Sequence, residues 1–157
     1  MATADYVGKT IDLWAFQQLK GGSDLLEQSM LLPVPGYICT GIEKLIQRWI
    51  VEFFTKQGSM PFQPTRGSTF MTAFSRGELQ IEADLIAEFG FAAEQIFNTI
   101  VSATPENAPP EEVLQTAVLN EMSILADQIQ LIVTITSAAG TSRQVILPIP
   151  FSVITTS

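Results

Sequence analysis

The chain has 157 residues, enough for one domain of ordinary size, and it is 46% hydrophobic but only 15% charged. Its 16 acidic residues outnumber 8 basic ones, for a formal net charge of -8, and such a field disfavours nucleic-acid binding through phosphate contacts. There is no histidine and one cysteine, Cys39, which excludes histidine-dependent triads, histidine or cysteine metal clusters and an internal disulfide.

The first 35 residues are predicted to be an irregular leader, because breaks interrupt each apolar run within it. Residues 10–16, TIDLWAF, form either a short strand or one helical turn, and Gly21 and its neighbours end this element. Residues 1–12 lack the basic start and apolar stretch of a secretory signal. No apolar run approaches the roughly 20 residues that span a bilayer. We therefore expect a protein made and kept in the cytoplasm, without a membrane partner, unless an assembly carries it out.

The strongest predicted element is an amphipathic helix from about Gly41 to Lys56. Thr40 is suited to be its N-cap, and Glu43 three residues later completes a capping box. Gly58 is placed to end the helix in a left-handed turn. Seven large apolar residues follow the 3.6-residue period as one continuous stripe, and we expect them to be buried: Ile42, Leu45, Ile46, Trp49, Ile50, Phe53 and Phe54.

The segment from Gly58 to Ser68, GSMPFQPTRGS, is predicted to be a loop. Its two glycines and two prolines favour a fixed path with turns. Phe62 either anchors an interface or packs into the protein's own core. Arg66, next to Gly67, either binds a carboxylate of a partner or caps a turn. Gly58, Phe62, Arg66 and Gly67 are therefore candidate interface residues.

A second helical region is predicted to begin near Ser75, where Glu78 repeats the capping pattern. Its apolar residues continue at helical spacing as far as Ile100. Gly90 lies inside this region and favours either a kink or a break into two helices. The segment 106–112, ENAPPEE, follows as a polar connector.

The hydrophobic period changes from 3.6 to 2 in the last third of the chain. Residues 128–136 and 143–149 alternate in the manner of half-buried strands, and the SAAGTS segment between them is typical of a hairpin loop. Residues 113–124 form either a helix or a third strand, and we favour the strand, partly for the resemblance described below. The sequence thus predicts an α+β fold, with two principal helices packed on one face of a small antiparallel β-meander.

This order of features resembles the baseplate-wedge proteins of contractile bacteriophage tails, also called sheath initiators. The segment GIEKLIQRWIVEFFTKQGSMPFQPTRGSTF carries the resemblance, and QIQLIVTITSAAGTSRQVILPI supplies the terminal hairpin. The resemblance covers a domain of about residues 36–151, between the leader 1–35 and a C-terminal tail 152–157. The family usually has an acidic-Pro-Arg motif before the first strand, whereas this chain has Thr104-Pro105-Glu106 without an arginine. The pattern positions are Gln47, Thr55, Gly58, Pro64 and Gly67.

The resemblance implies a non-enzymatic structural protein of the virion, located in the tail baseplate and present in the host cytoplasm during assembly. Its partners would be the tail sheath protein and the other wedge and hub or tube proteins, with six copies in a ring. No cofactor, metal or catalytic residue is implied. The first sheath ring would dock on the sheet by β-augmentation, in which backbone hydrogen bonds join an incoming strand to a sheet edge.

The prolines predict which edge of the meander is used. With the order 113–122, 128–136, 143–149 the meander has two free edges. Pro148 and Pro150 remove two donors from the outer side of the last strand, which blunts that edge. The other edge, Leu114 to Met122, contains no proline, and we expect an incoming strand there. Leu114, Val118, Leu119 and Met122 are its candidate contacts, with Val118 and Leu119 expected to face outward.

Two alternatives stay open. Some members of the family carry a lysozyme label, and a peptidoglycan-cleaving enzyme would need two carboxylates facing each other across a cleft. The candidate pairs are Glu78 with Glu82, an i, i+4 pair expected on one helix, and Glu111 with Glu112 in the polar connector. We expect the carboxylates of both pairs to lie in solvent. The second alternative is another virion connector, such as a tail terminator, which would keep the structural role without the sheath contact.

Overall fold

The computed structural model describes residues 11–13, 17–21, 25–29 and 38–151. These residues have the predicted α+β fold. The helices are α1 (Gly41–Phe54), α2 (Thr69–Ser75) and α3 (Glu82–Ala103), and a short 3-10 helix covers Pro110–Glu112. The strands are β1 (Ile11–Leu13), β2 (Gln17–Gly21), β3 (Leu25–Ser29), β4 (Ile38–Thr40), β5 (Leu114–Ile124), β6 (Gln128–Ser137) and β7 (Ser142–Pro150).

The predicted C-terminal meander is confirmed. β5 pairs antiparallel with β6, and β6 pairs antiparallel with β7. Residues 113–124 are therefore mainly strand rather than helix. On β6 and β7 every second side chain is buried, because that face of the sheet is covered by the helices. These buried residues are Ile129, Leu131, Val133, Ile135, Val145, Leu147 and Ile149.

Within the leader, the described residues form strands instead of the irregular chain expected. β1 pairs with β4 in a separate two-stranded sheet. β2 and β3 form an antiparallel pair, and β3 pairs parallel with β7. β1 lies in the segment 10–16, for which a strand was one of the two alternatives. The pairing of β3 with β7 spans more than a hundred residues, so the local sequence does not reveal it. The predictions for residues 14–16 and for the tail 152–157 lie outside the described residues.

The prediction that the meander has two free edges is wrong, because β3 from the leader pairs with the outer side of β7. The parallel ladder of β3 on β7 runs from Leu25 opposite Gln144 to Glu27 opposite Ile146. It ends two residues before Pro148, where the outer side of β7 begins to lack N–H donors. The strand order is β2-β3-β7-β6-β5, so the edge strands of this sheet are β2 and β5.

Helix α1 carries the predicted apolar stripe toward the core. All of its stripe residues are buried except Phe54, which is half-buried. Trp49 stacks on Phe53 with ring centroids 5.2 Å apart. Thr40 occupies the N-cap position, but its side chain makes no capping hydrogen bond, so the capping box does not form. The helix ends at Phe54, with Thr55 as C-cap, earlier than the sequence indicated.

The helical region predicted from about Ser75 is a single helix, α3, and a separate helix, α2, precedes it. Ser75 is the last residue of α2, and its hydroxyl donates to the carbonyl of Thr72 at 2.9 Å instead of capping a new helix. The side chain of Ser68 caps α2 by accepting from the N–H of Phe70 at 3.0 Å. α2 forms between the expected loop, which ends at Ser68, and the expected helix start near Ser75. It forms there because Phe70 and Phe74 are buried in the core. α3 then runs without a break through Gly90.

Candidate functional site

The outer side of β5 is the part of the sheet best placed to bind another chain. β5 is an edge strand with no partner on its outer side among the described residues. An edge strand presents a row of backbone donors and acceptors to any strand that approaches it. We call this side of Leu114–Ile124 the β5 edge.

The β5–β6 turn determines which backbone groups point outward. The N–H of Leu125 donates to the carbonyl of Gln128 at 2.8 Å, so these residues form a hydrogen-bonded pair. Hydrogen-bonded and non-hydrogen-bonded pairs alternate along an antiparallel ladder. The next pair, Ile124 with Ile129, is therefore non-hydrogen-bonded. The N–H groups of Ile124 and of Met122, two residues earlier, accordingly point away from β6.

The same alternation corrects one of the predicted contacts. Along β6 it continues to Thr134, whose hydrogen-bonding groups face β5 and which pairs with Val118. The N–H of Val118 thus points toward β6, and the expectation that it faces outward is wrong. Its neighbours Ala117 and Leu119 have outward N–H groups instead. The side chain of Val118 is 53% exposed on the face of the sheet opposite the helices.

Two register shifts interrupt the β5–β6 ladder, and each leaves one extra residue on β5, Gln115 and Asn120. The side chain of Asn120 donates to the hydroxyl of Thr134 at 2.6 Å, which ties the second bulge to β6. Bulges are frequent on edge strands, where they increase the local twist. The β5 edge therefore has two short regular stretches, residues 116–119 with outward groups at Ala117 and Leu119, and residues 121–124 with outward groups at Met122 and Ile124.

A groove of about 630 Å³ runs between α3 and the β5 edge. Ile86, Gly90 and Ala93 form the wall on α3, and Ala117 and Leu119 lie on the strand side. Ile86 is 50% exposed although it is large and apolar. A strand added at the β5 edge would direct every second side chain toward this groove.

The remaining predicted contacts of β5 lie in the core or at its rim. Leu114 is only 3% exposed and belongs to the hydrophobic core, so it is not available to a partner. It lies at the start of the strand, on the face of the sheet that the helices cover. Leu119 and Met122 are half-buried and pack against the core from its rim.

The loop after α1 presents Phe62. An isolated bridge between Lys56 and Ser68 closes the base of the loop, and Ser68 donates its N–H to the carbonyl of Thr55 at 2.7 Å. The side chain of Phe62 is 96% exposed, so the alternative in which it packs into the core is wrong. A large aromatic side chain held in solvent by an ordered loop is a candidate contact for another protein.

Arg66 caps its own loop. Its Nη2 pairs with the carboxylate of Glu52 on α1, and its Nη1 donates to Oε1 of Gln63 at 3.0 Å. The second oxygen of Glu52 accepts from the N–H of Gly67 at 3.2 Å. Of the two roles weighed for Arg66, the structure supports the structural one. Sequence reasoning missed Glu52 because it lies off the apolar stripe, yet it is buried.

Three of the four carboxylates proposed for glycan cleavage are exposed. Glu78 lies before α3 and Glu82 is its first residue, so they are not an i, i+4 pair on one helix, and both are exposed. Glu111 is exposed, whereas Glu112, expected in solvent, is buried.

Among the described residues no group of three or more histidine, cysteine, aspartate or glutamate residues could hold a metal ion. None of the helices in these ranges is long and apolar enough to cross a membrane.

Comparison of the chain with family models, with curated proteins and with solved structures finds no match. The candidate site is therefore defined by its geometry: a sheet edge with outward N–H groups, an apolar groove beside it and an exposed phenylalanine on a separate loop.

Proposed function

We propose that this protein is a structural component of a contractile phage tail baseplate. It joins the wedge to the sheath, and it templates the first sheath ring by accepting a strand at the β5 edge. The observation that carries the proposal is the position of the outward N–H groups of Ala117 and Leu119 next to the apolar groove under α3.

Strand addition at this edge has a physical basis. Each backbone hydrogen bond of a new ladder contributes about 0.5–1.5 kcal/mol net, and apolar side chains of the incoming strand lose water in the groove. The outer side of β7 is a poor second choice, because β3 pairs with its first half and two prolines follow. The other edge strand of the sheet, β2, has five residues against eleven in β5, so β5 offers the longer edge to an incoming strand.

The resemblance to sheath initiators supports the identity of the partners. It points to the tail sheath protein at the β5 edge and to other wedge and hub or tube proteins elsewhere on the surface, with six copies arranged in a ring and no catalytic activity. Phe62 is a contact for a neighbouring wedge protein in this proposal, because it lies on a loop separate from the sheet.

A proline substitution tests the edge directly. Ala117→Pro removes one outward donor and no bond to β6, and Ala117 is small and only half-buried, so we expect the fold to persist. We expect sheath assembly on baseplates carrying this variant, counted by electron microscopy, to fall well below wild type.

Ala126→Pro is the matched control, because it places a proline in the exposed β5–β6 turn without touching the edge. Ala126 is exposed, and no described non-glycine residue has the positive φ that proline cannot adopt. Urea unfolding of both variants establishes that they are folded. Normal sheath assembly with a folded Ala117→Pro protein would contradict the proposal.

A further inference from the structure

We infer that the strand accepted at the β5 edge alternates apolar with basic residues, its apolar side chains in the groove and its basic side chains beside Glu121. This inference rests on the proposed function and adds the chemistry of the partner. Three features of the described residues carry it: the two faces of β5, the charge along the groove and the space beside Gly90.

The two faces of β5 differ in chemistry. Ala117, Leu119 and Met122 pair with buried residues of β6, so they belong to the face that the helices cover. Val118 and Glu121 pair with half-buried residues on the opposite, outer face. Successive side chains of an added strand point to opposite faces, and half of them therefore lie beside Val118 and Glu121.

The charged residues along the groove are both acidic. Glu121 lies on the outer face of β5, and Glu82 lies in the first turn of α3. None of the residues that line the groove is lysine or arginine. Opposite charges in cross-strand positions attract, and like charges repel. A second copy of this chain is a poor occupant, because it carries the same acidic edge and a net charge of -8.

Gly90 leaves room for an apolar side chain. Glycine is unfavourable in the interior of a helix, yet Gly90 lies in the middle of α3. Among the described residues outside its own helix turn, nothing lies within 4 Å of a Cβ built on Gly90. Internal packing therefore does not require glycine here. Gly90 and Ala93 together widen the groove opposite Ala117 and Leu119, which suits a branched or aromatic side chain.

Short peptides test the inference on the full chain. The probes are three capped seven-residue peptides in which valine alternates with lysine, with glutamine or with glutamate. Each is titrated into isotope-labelled protein while backbone amide shifts are recorded. We expect the lysine peptide to bind about two- to five-fold more tightly than the glutamine peptide for each charge pair formed, and the glutamate peptide to bind least. The largest shifts should fall on Ala117, Leu119 and Met122.

Two variants distinguish the contribution of the Glu121 charge to peptide binding from the contribution of the groove. Glu121→Gln should weaken the lysine peptide about two- to five-fold and leave the glutamine peptide unchanged. Gly90→Leu fills the groove and should abolish binding of both. Ala87→Leu, an exposed position on α3 outside the groove, is the matched control and should bind normally.

The outcomes distinguish this inference from the proposed function. If the glutamine peptide binds at β5 as tightly as the lysine peptide, the charge inference is overturned and strand acceptance stands. If no peptide binds, or if Ala117→Pro binds all of them normally, both are overturned. Shifts that map away from β5 would show only general attraction to an acidic protein and would also overturn the inference.

Discussion

The carboxylate of Glu111 lies directly against Gly41. A Cβ built on Gly41 would be 2.7 Å from Oε2 of Glu111, and Gly41 has a φ of 60°. The contact joins the first residue of α1 to the 3-10 helix that precedes β5. The positive end of the α1 dipole favours a carboxylate at this place. The start of α1 is thus coupled to the segment that leads into the candidate binding strand.

This contact predicts the effect of a methyl group at Gly41. Gly41→Ala should lower the free energy of unfolding by about 1–3 kcal/mol, from the left-handed backbone and from loss of the Glu111 contact as that exposed side chain moves aside. Gly58→Ala is the control, because Gly58 also has a positive φ but nothing within 4 Å, and it should cost about 1–2 kcal/mol.

A double variant separates the two causes. In a Glu111→Ala background, Gly41→Ala should cost only the backbone part, about 1–2 kcal/mol. Equal losses for Gly41→Ala and Gly58→Ala in urea unfolding would mean that Glu111 yields freely and that the coupling is absent.

The pairing of Arg66 with Glu52 predicts that this arginine is needed for stability. Arg66→Ala leaves the buried carboxylate of Glu52 without its cation and should lower the free energy of unfolding by about 1–3 kcal/mol, less than for a fully buried pair because Arg66 is partly exposed. Arg76→Ala is the control. Arg76 is exposed, 3.9 Å from Glu78, and its loss should cost less than about 0.5 kcal/mol. Equal stability of the two variants would show that the ion pair contributes nothing.

Phe62 is expected to act in assembly and not in folding. Phe62→Ala should change the free energy of unfolding by less than about 0.5 kcal/mol, because the ring is exposed. Phe53→Ala, in the core, should cost about 3–5 kcal/mol. Incorporation of Phe62→Ala into baseplates, measured by co-sedimentation, should fall. Unchanged incorporation would mean that Phe62 is not an interface residue.

We expect the purified protein to leave peptidoglycan intact, because Glu78, Glu82 and Glu111 of the candidate pairs are exposed to solvent. The measurement is release of soluble fragments from cell walls, with a lysozyme as positive control. Release that disappears in Glu78→Gln or Glu111→Gln would contradict this prediction. So would release that disappears in Glu82→Gln or Glu121→Gln, since these two carboxylates line one groove.

The sequence predicted those elements whose pattern is local. The stripe of α1 and the alternation of β6 and β7 are visible as periods of 3.6 and 2, and both are confirmed. The capping signal at Ser75 was misleading, because burial of Phe70 and Phe74 placed a helix before it instead of after it.

Features that depend on distant pairing were not visible in the sequence. β3 pairs with a strand more than a hundred residues away, and Glu52 is buried because Arg66 folds back onto it. The outward direction of Leu119, and not of Val118, follows from the register that the β5–β6 turn and the bulges impose. A sequence pattern alone does not fix that register.

We propose that the β5 edge receives a strand of the sheath. The most direct measurement is a cryo-electron microscopy map of the assembled baseplate with its first sheath ring, at a resolution that separates strands. We predict an additional strand hydrogen-bonded to Ala117 and Leu119, with its apolar side chains in the groove beside Gly90. A map in which the sheath is attached while the outer side of β5 remains unpaired would contradict the proposal that the sheath docks by strand addition at the β5 edge.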